Sequence, residues 1–200
     1  LHLIQMLNIL ENFDLNIYEH NSPDYIALLS EIMKYAYADR SKYLGDPDFF
    51  DVPTFEIVNK SYAKRIYQEI LKNPQKSAEQ ILPGQLLFDE SNETTHFSIA
   101  DQFGNVISNT YTLNSAYGSG VTISGTGILM NNEMDDFSIK PGTPNVYGLV
   151  GSEANKIESK KSPLSSMSPT IVFKDSVPFL ITGSQGGSMI INTVFQEILN

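Results

Sequence analysis

Two hundred residues, 41% hydrophobic and 18% charged, suffice for one sizeable core and exclude a disordered chain. A formal charge of −10 repels phosphate backbones and anionic lipid, so neither nucleic acid nor a membrane surface is expected as a partner. The lack of cysteine excludes a disulfide framework and a thiolate metal site but is compatible with either cytoplasm or periplasm.

The chain opens within a helical pattern, Leu3, Ile4, Leu7 and Leu10, and its last residues up to Leu199 and Asn200 run on helically without a closing signal. It is therefore expected to be cut at both ends. Ser22 is a helix N-cap with Pro23 in the first helical position, and Tyr25, Leu28, Leu29, Ile32 and Ala36 mark one apolar face that Gly45 and Pro47 terminate. A third helix is predicted to start near Asn59 or Ser61, to bury Tyr62, Ile66 and Ile70, and to stop before Asn73 and Pro74. From Pro74 to Glu93 no period lasts, and Pro83, Gly84, Ser91 and Asn92 read as a surface loop open to cleavage.

At Thr94 the period changes from helical to two. Phe97 and Ile99 alternate with Ser98 and Ala100, Gly104 and Asn105 supply a turn, and a second strand is predicted from Val106 to Asn114. Strand alternation would put Thr112 and Asn114 on one face beside Thr94. A second hairpin pairs Ile171–Phe173 with Phe179–Thr182, and a helix begins near Gly187. Helices first, then strands with a returning helix, predict an α+β domain.

Each candidate for chemistry has a plainer reading. The Thr94–Thr95 pair is a nucleophile or ordinary β-branched packing. Gly186 and Gly187 are backbone donors at a helix start or only a turn. Glu133 and Asp136 suit an ammonium group but also read as a solvated acidic loop or part of a loose calcium site, and Ser165 and Ser166 read by themselves as a polar turn. His2, His20 and His96 have no metal-ligand spacing, and His96 is read as structural. No phosphate loop or dinucleotide motif is present, and neither a metal nor another cofactor is expected.

Several motifs occur in fixed order: YADRSKYLGDPDF (Tyr37–Phe49), TTHFS (Thr94–Ser98), YTLN (Tyr111–Asn114), NNEMDDFS (Asn131–Ser138), PNVYGLV (Pro144–Val150), PLSSMSPT (Pro163–Thr170) and GSQGGS (Gly183–Ser188). Together they resemble the γ-glutamyltransferases of the N-terminal-nucleophile hydrolase superfamily over nearly the whole chain. That resemblance implies a four-layer αββα sandwich, incomplete at both ends. Residues 1–93 would be the end of the large subunit and 94–200 most of the small, catalytic one, the two forming a heterodimer after self-cleavage between Glu93 and Thr94.

By the same resemblance Thr94 is the nucleophile, Thr112 positions it, and Gly186 and Gly187 bind the oxyanion. Asn114, Glu133 and Asp136 hold the substrate α-ammonium, Ser165 and Ser166 its α-carboxylate, and Tyr147 lies on a lid loop. Family members commonly carry Pro where Gln185 stands and Arg where Met189 stands. The implied substrates are glutathione and related γ-glutamyl amides, with water, amino acids or peptides as acceptors, in a periplasmic, secreted or surface-attached setting. The nearest alternatives are an acylase for glutaryl side chains and a catalytically inactive relative or binding module. A glycosidase using Glu133 and Asp136 is more remote.

Overall fold

The computed structural model describes residues 1–74, 94–145 and 148–200, which fall into two compact units. One gathers the helical first half with Ser138–Pro144 and Val150–Ser162, and the other holds both hairpins and the C-terminal helix. The predicted loop after Pro74 lies outside the described residues. These packing units are a different division of the chain from the subunits expected to meet between residues 93 and 94.

The first unit contains α1 (His2–Leu10), α2 (Pro23–Tyr43), α3 (Thr54–Ile57) and α4 (Lys60–Lys72). The Ser22 hydroxyl accepts the Tyr25 N–H at 3.2 Å, so the cap read from the sequence starts α2. Asn59 caps α4 by accepting the Ser61 N–H at 2.8 Å. Helix α1 packs on both α2 and α4, burying Met6 and Ile9 with Ile32 and Ala36 of α2 and Ala63, Ile66 and Ile70 of α4.

A polar tie joins the same three helices, because the Asp39 carboxylate accepts both the Gln5 amide and the Tyr62 hydroxyl at 2.6 Å. Burial and that carboxylate hold the Tyr62 phenol well above its ordinary range. His2 is buried edge-on to Tyr37 with ring centroids 4.4 Å apart, and burial, with Arg40 nearby, pushes its pKa down to about 3. Helix α2 stops at Tyr43, before Gly45. Gly45 has a different job: a Cβ there would lie 2.1 Å from the Ala154 carbonyl oxygen.

The second unit holds two antiparallel hairpins, β1 (Thr94–Ala100) with β2 (Val106–Thr112) and β3 (Thr170–Lys174) with β4 (Val177–Thr182). Asp101 organises the first turn by accepting the Phe103 and Asn105 N–H groups at 2.8 and 2.9 Å. The second turn is Asp175–Ser176, whose positive φ angles of 52° and 65° match the twist of the flanking strands. Ser98 donates to the Ile181 carbonyl at 3.2 Å, and Ser108 donates to the Thr182 carbonyl at 2.7 Å, tying the hairpins together. After β4 a 3-10 turn, Gly187–Met189, leads into α5 (Ile190–Leu199), which buries Ile190, Ile191, Val194 and Phe195.

Helix α3 has only four residues, too few for a period to show in the sequence. One expectation needs correction. Strand β2 ends at Thr112, because Asn114 adopts φ 74° and leaves the extended region.

Ile32 is fully buried among α1, α2 and α4, so Ile32→Ala should cost about 2–5 kcal/mol of stability. A thermal melt of the variant checks this, and an unchanged midpoint would show that the helices do not meet there.

Candidate active site

Antiparallel register places Thr94, the first residue of β1, directly opposite Thr112, the last residue of β2. Thr94 is buried at 7% exposure and faces a small cleft with room for about one water, roughly 20 Å³. Thr112 and Asn114 line this cleft from the end of β2, Asp136 from the Glu133–Asp136 3-10 turn, and Ser165 and Ser166 from the loop before β3. Gly187 and Ser188 close it from the entry to α5, and Leu149, Met167 and Ile190 supply apolar wall. Five separate stretches of sequence thus meet at one hydroxyl.

Strand alternation does not explain why Asn114 reaches the cleft, since it lies beyond the strand in a left-handed conformation. The cause is local hydrogen bonding. Its N–H donates to the Thr112 hydroxyl oxygen at 2.9 Å, and its side-chain amide donates to the Asn132 carbonyl at 3.3 Å. The Thr112 oxygen therefore already accepts one bond, which leaves its own proton to be directed elsewhere.

The Gly186–Gly187 pair enters the helix with φ angles of 116° and 51°. The first of these is a conformation that side chains resist even where space exists. The turn brings Gly187 and Ser188, at the start of the helix, to the cleft, where the helix dipole favours negative charge. Gly187 lines the cleft, while Gly186 is buried just before it.

Glu133 lies one turn before Asp136 on the same 3-10 segment but is not among the residues lining the cleft. Burial raises its carboxyl above the usual carboxylate range. Tyr147 and Glu93 fall outside the described residues. Among the described residues no group of three or more His, Asp or Glu side chains could hold a metal ion.

Sequence reasoning left His96 as structural, and its contacts give that reading content. Its ring nitrogens lie 2.8 Å from the Thr110 hydroxyl and 3.0 Å from the Ser98 hydroxyl. Its ring lies against Gly183, where a Cβ would come within 2.3 Å of Cε1 and Nδ1. Strand β1 and the loop leading to Gly186 and Gly187 thus share one packed contact. Leu149, Met167 and Ser188 also line the cleft and were not singled out, although all three sit inside motifs quoted above.

The gamma-glutamyltranspeptidase family profile matches residues 1–200, and the chain belongs to that family. The glutathione hydrolase proenzyme of Escherichia coli (strain K12) is 55% identical over 200 residues, covering 100% of this chain and 34% of that protein. The solved T380A mutant of the Helicobacter pylori gamma-glutamyltranspeptidase is 64% identical over 53% of this chain and 57% of that one, with a TM-score of 0.52. The cephalosporin acylase from Bacillus halodurans, 24% identical, matches 100% of this chain and 33% of that one with a TM-score of 0.75, which is a likeness of fold. The fold is of the N-terminal-nucleophile hydrolase type, with mixed helix and sheet. The chain spans about a third of the length of the curated relatives it matches.

Gly183→Ala should cost about 1–3 kcal/mol, because the new methyl group has to displace the His96 ring or the loop. Adding His96→Ala to that variant should recover part of the loss. Thermal stabilities of the four proteins in the cycle give the coupling, and strictly additive costs would show that the two residues do not press on each other.

Proposed function

We propose that the protein carrying this chain is a self-processing γ-glutamyltransferase. It cleaves the γ-glutamyl amide of glutathione and related compounds and passes the glutamyl group to water, amino acids or peptides. The observation that carries this reading is the meeting of Thr94, Thr112, Asn114, Asp136, Ser165, Ser166 and Gly187 at one cleft. The name of the Escherichia coli relative, a glutathione hydrolase proenzyme, supports both the substrate and the processing. We take residues 1–93 as part of the large subunit, 94–200 as part of the small one, and the complete fold as the four-layer αββα sandwich. An extracytoplasmic location accords with the family, and no described helix is long and apolar enough to cross a membrane.

In processing, the Thr94 hydroxyl attacks the Glu93 carbonyl, the acyl group moves from nitrogen to oxygen, and water hydrolyses the ester. This frees both the hydroxyl and an α-amine on Thr94. Such an amine has a pKa of about 7.7–8.0, so part of it is neutral near pH 7 and can accept the hydroxyl proton, directly or through water. The hydroxyl then attacks the γ-carbonyl of the donor. The Gly186 and Gly187 N–H groups stabilise the oxyanion without reorganising, and Thr112 orients the nucleophile. The amine leaves with the proton, and water or an acceptor amine resolves the glutamyl ester. No cofactor is required.

Donor recognition divides by charge. Asp136 and Asn114 face the α-ammonium, with Glu133 adding negative charge from one turn before Asp136, and Ser165 and Ser166 face the α-carboxylate. Tyr147 is carried over by resemblance alone as a further member of the proposed substrate-binding set.

Thr94→Ala in the full-length protein should leave one unprocessed, inactive chain, since the processing and catalytic hydroxyls are the same group. Intact mass reads this directly, and normal cleavage in the variant would remove Thr94 from the role. Thr94→Ser should retain slow processing and activity.

Asp136→Asn should reduce kcat/KM for γ-glutamyl anilide by two to three orders of magnitude or more, from a cost of about 3–5 kcal/mol for leaving a buried cation without its partner. Glutaryl anilide lacks the ammonium and should lose little. An unchanged ratio between the two substrates would take Asp136 out of the ammonium site.

A further inference from the structure

Asn132 does not itself line the cleft, yet it holds the segment that carries Asn114 to it. Its N–H donates to the Leu113 carbonyl at 3.1 Å. Its side-chain oxygen accepts the Ser115 N–H at 3.0 Å, and its side-chain NH2 donates to the Ser115 hydroxyl at 2.9 Å. Its carbonyl accepts the Asn114 side-chain amide at 3.3 Å. One residue is thus bonded to all three of Leu113, Asn114 and Ser115.

The middle residue of that segment is held at φ 74° and buried, with its N–H on the Thr112 hydroxyl. Asparagine tolerates the left-handed region better than most residues but does not favour it over the alternatives. Bonds on both flanks over-determine it. The same residue sits immediately before the Glu133–Asp136 turn.

We propose that Asn132 is a positioning residue for acyl transfer: it holds Asn114 in the left-handed conformation and thereby fixes the Thr112 hydroxyl against the nucleophile. The proposal rests on the acyl-transfer reading of the site. It assigns Asn132 no contact with substrate. Loss of the clamp lets the segment relax towards extended backbone, which takes the Asn114 N–H off Thr112 and leaves that hydroxyl free to rotate.

The test uses the full-length protein and γ-glutamyl anilide. Anilide release is measured in a single turnover and expressed per active site titrated with an irreversible inhibitor of the nucleophile, so loss of folded protein does not count. Asn132→Leu keeps the shape and removes the side-chain bonds, and should slow release about ten- to hundredfold, as expected for one or two lost hydrogen bonds felt in the transition state. Asn132→Asp still accepts the Ser115 N–H and can also accept the Ser115 hydroxyl proton, so it should recover most of that rate.

Ser115→Ala removes a single bond. It should slow release several-fold and serves if Asn132→Leu does not fold. Hydrogen–deuterium exchange of residues 113–115 gives a readout independent of activity, and in Asn132→Leu it should rise about tenfold or more. If Asn132→Leu or Ser115→Ala releases anilide at the wild-type rate per site, or Asn132→Asp is no faster than Asn132→Leu, the proposal falls. Unchanged exchange also overturns it. A wild-type protein that does not turn over γ-glutamyl anilide overturns the functional reading instead, and the exchange result still decides whether the clamp exists.

Discussion

The cross-strand register that sets Thr94 against Thr112 is the constraint on which the site depends. In an antiparallel pair a slip of one residue turns every side chain to the opposite face. Such a slip would withdraw Thr94 from the cleft and present Thr95 instead. The register is held along its length by polar pairs on the same face, Thr94 with Thr112, His96 with Thr110 and Ser98 with Ser108. One of those pairs is also tied to the second hairpin: Ser98 and Ser108 both donate to carbonyls of β4. Hydrogen bonds are directional, so this polar face fixes position more sharply than apolar packing would.

The opposite face of the same hairpin is apolar and exposed, with Phe97, Ile99, Ile107 and Tyr111 on it. Side chains alternate along both strands, so the polar residues on the Thr94 face and the apolar ones come from a single pattern. The second hairpin and α5 then take up the polar side. They bring Gly183 against His96 and the helix start against the cleft. Position is transmitted from strand to loop by contact at a glycine, where no side chain could be accommodated.

Asp136, Ser165 and Ser166 reach the cleft from irregular segments, and their positions depend on short-range bonds. Ser165 accepts the Met167 N–H at 3.1 Å, closing a small turn. Asn145 donates to the Asp135 carbonyl at 3.3 Å and accepts the Leu149 N–H at 3.0 Å, which ties the loop that carries Leu149 to the turn that carries Asp136. Asp136 and the Ser165–Ser166 pair are thus held at the cleft by separate local networks.

The sequence by itself determined the elements whose cause is local. Ser22 and Pro23 start α2, the change from helical to alternating period locates β1 at Thr94, and the Gly-Gly pair marks the entry to the last helix. Motif order was enough to name the family and seven of the eleven described residues that line the cleft. Tertiary structure decided what depends on distant partners. Asn114 leaves the strand because Asn132, eighteen positions away, bonds to it. Gly183 is glycine because His96 lies against it. Glu133 stays off the cleft wall while Asp136 reaches it, since three residues on a 3-10 turn set their directions by the packing around that turn. A period reports which face is buried, but not which residue waits on the other side.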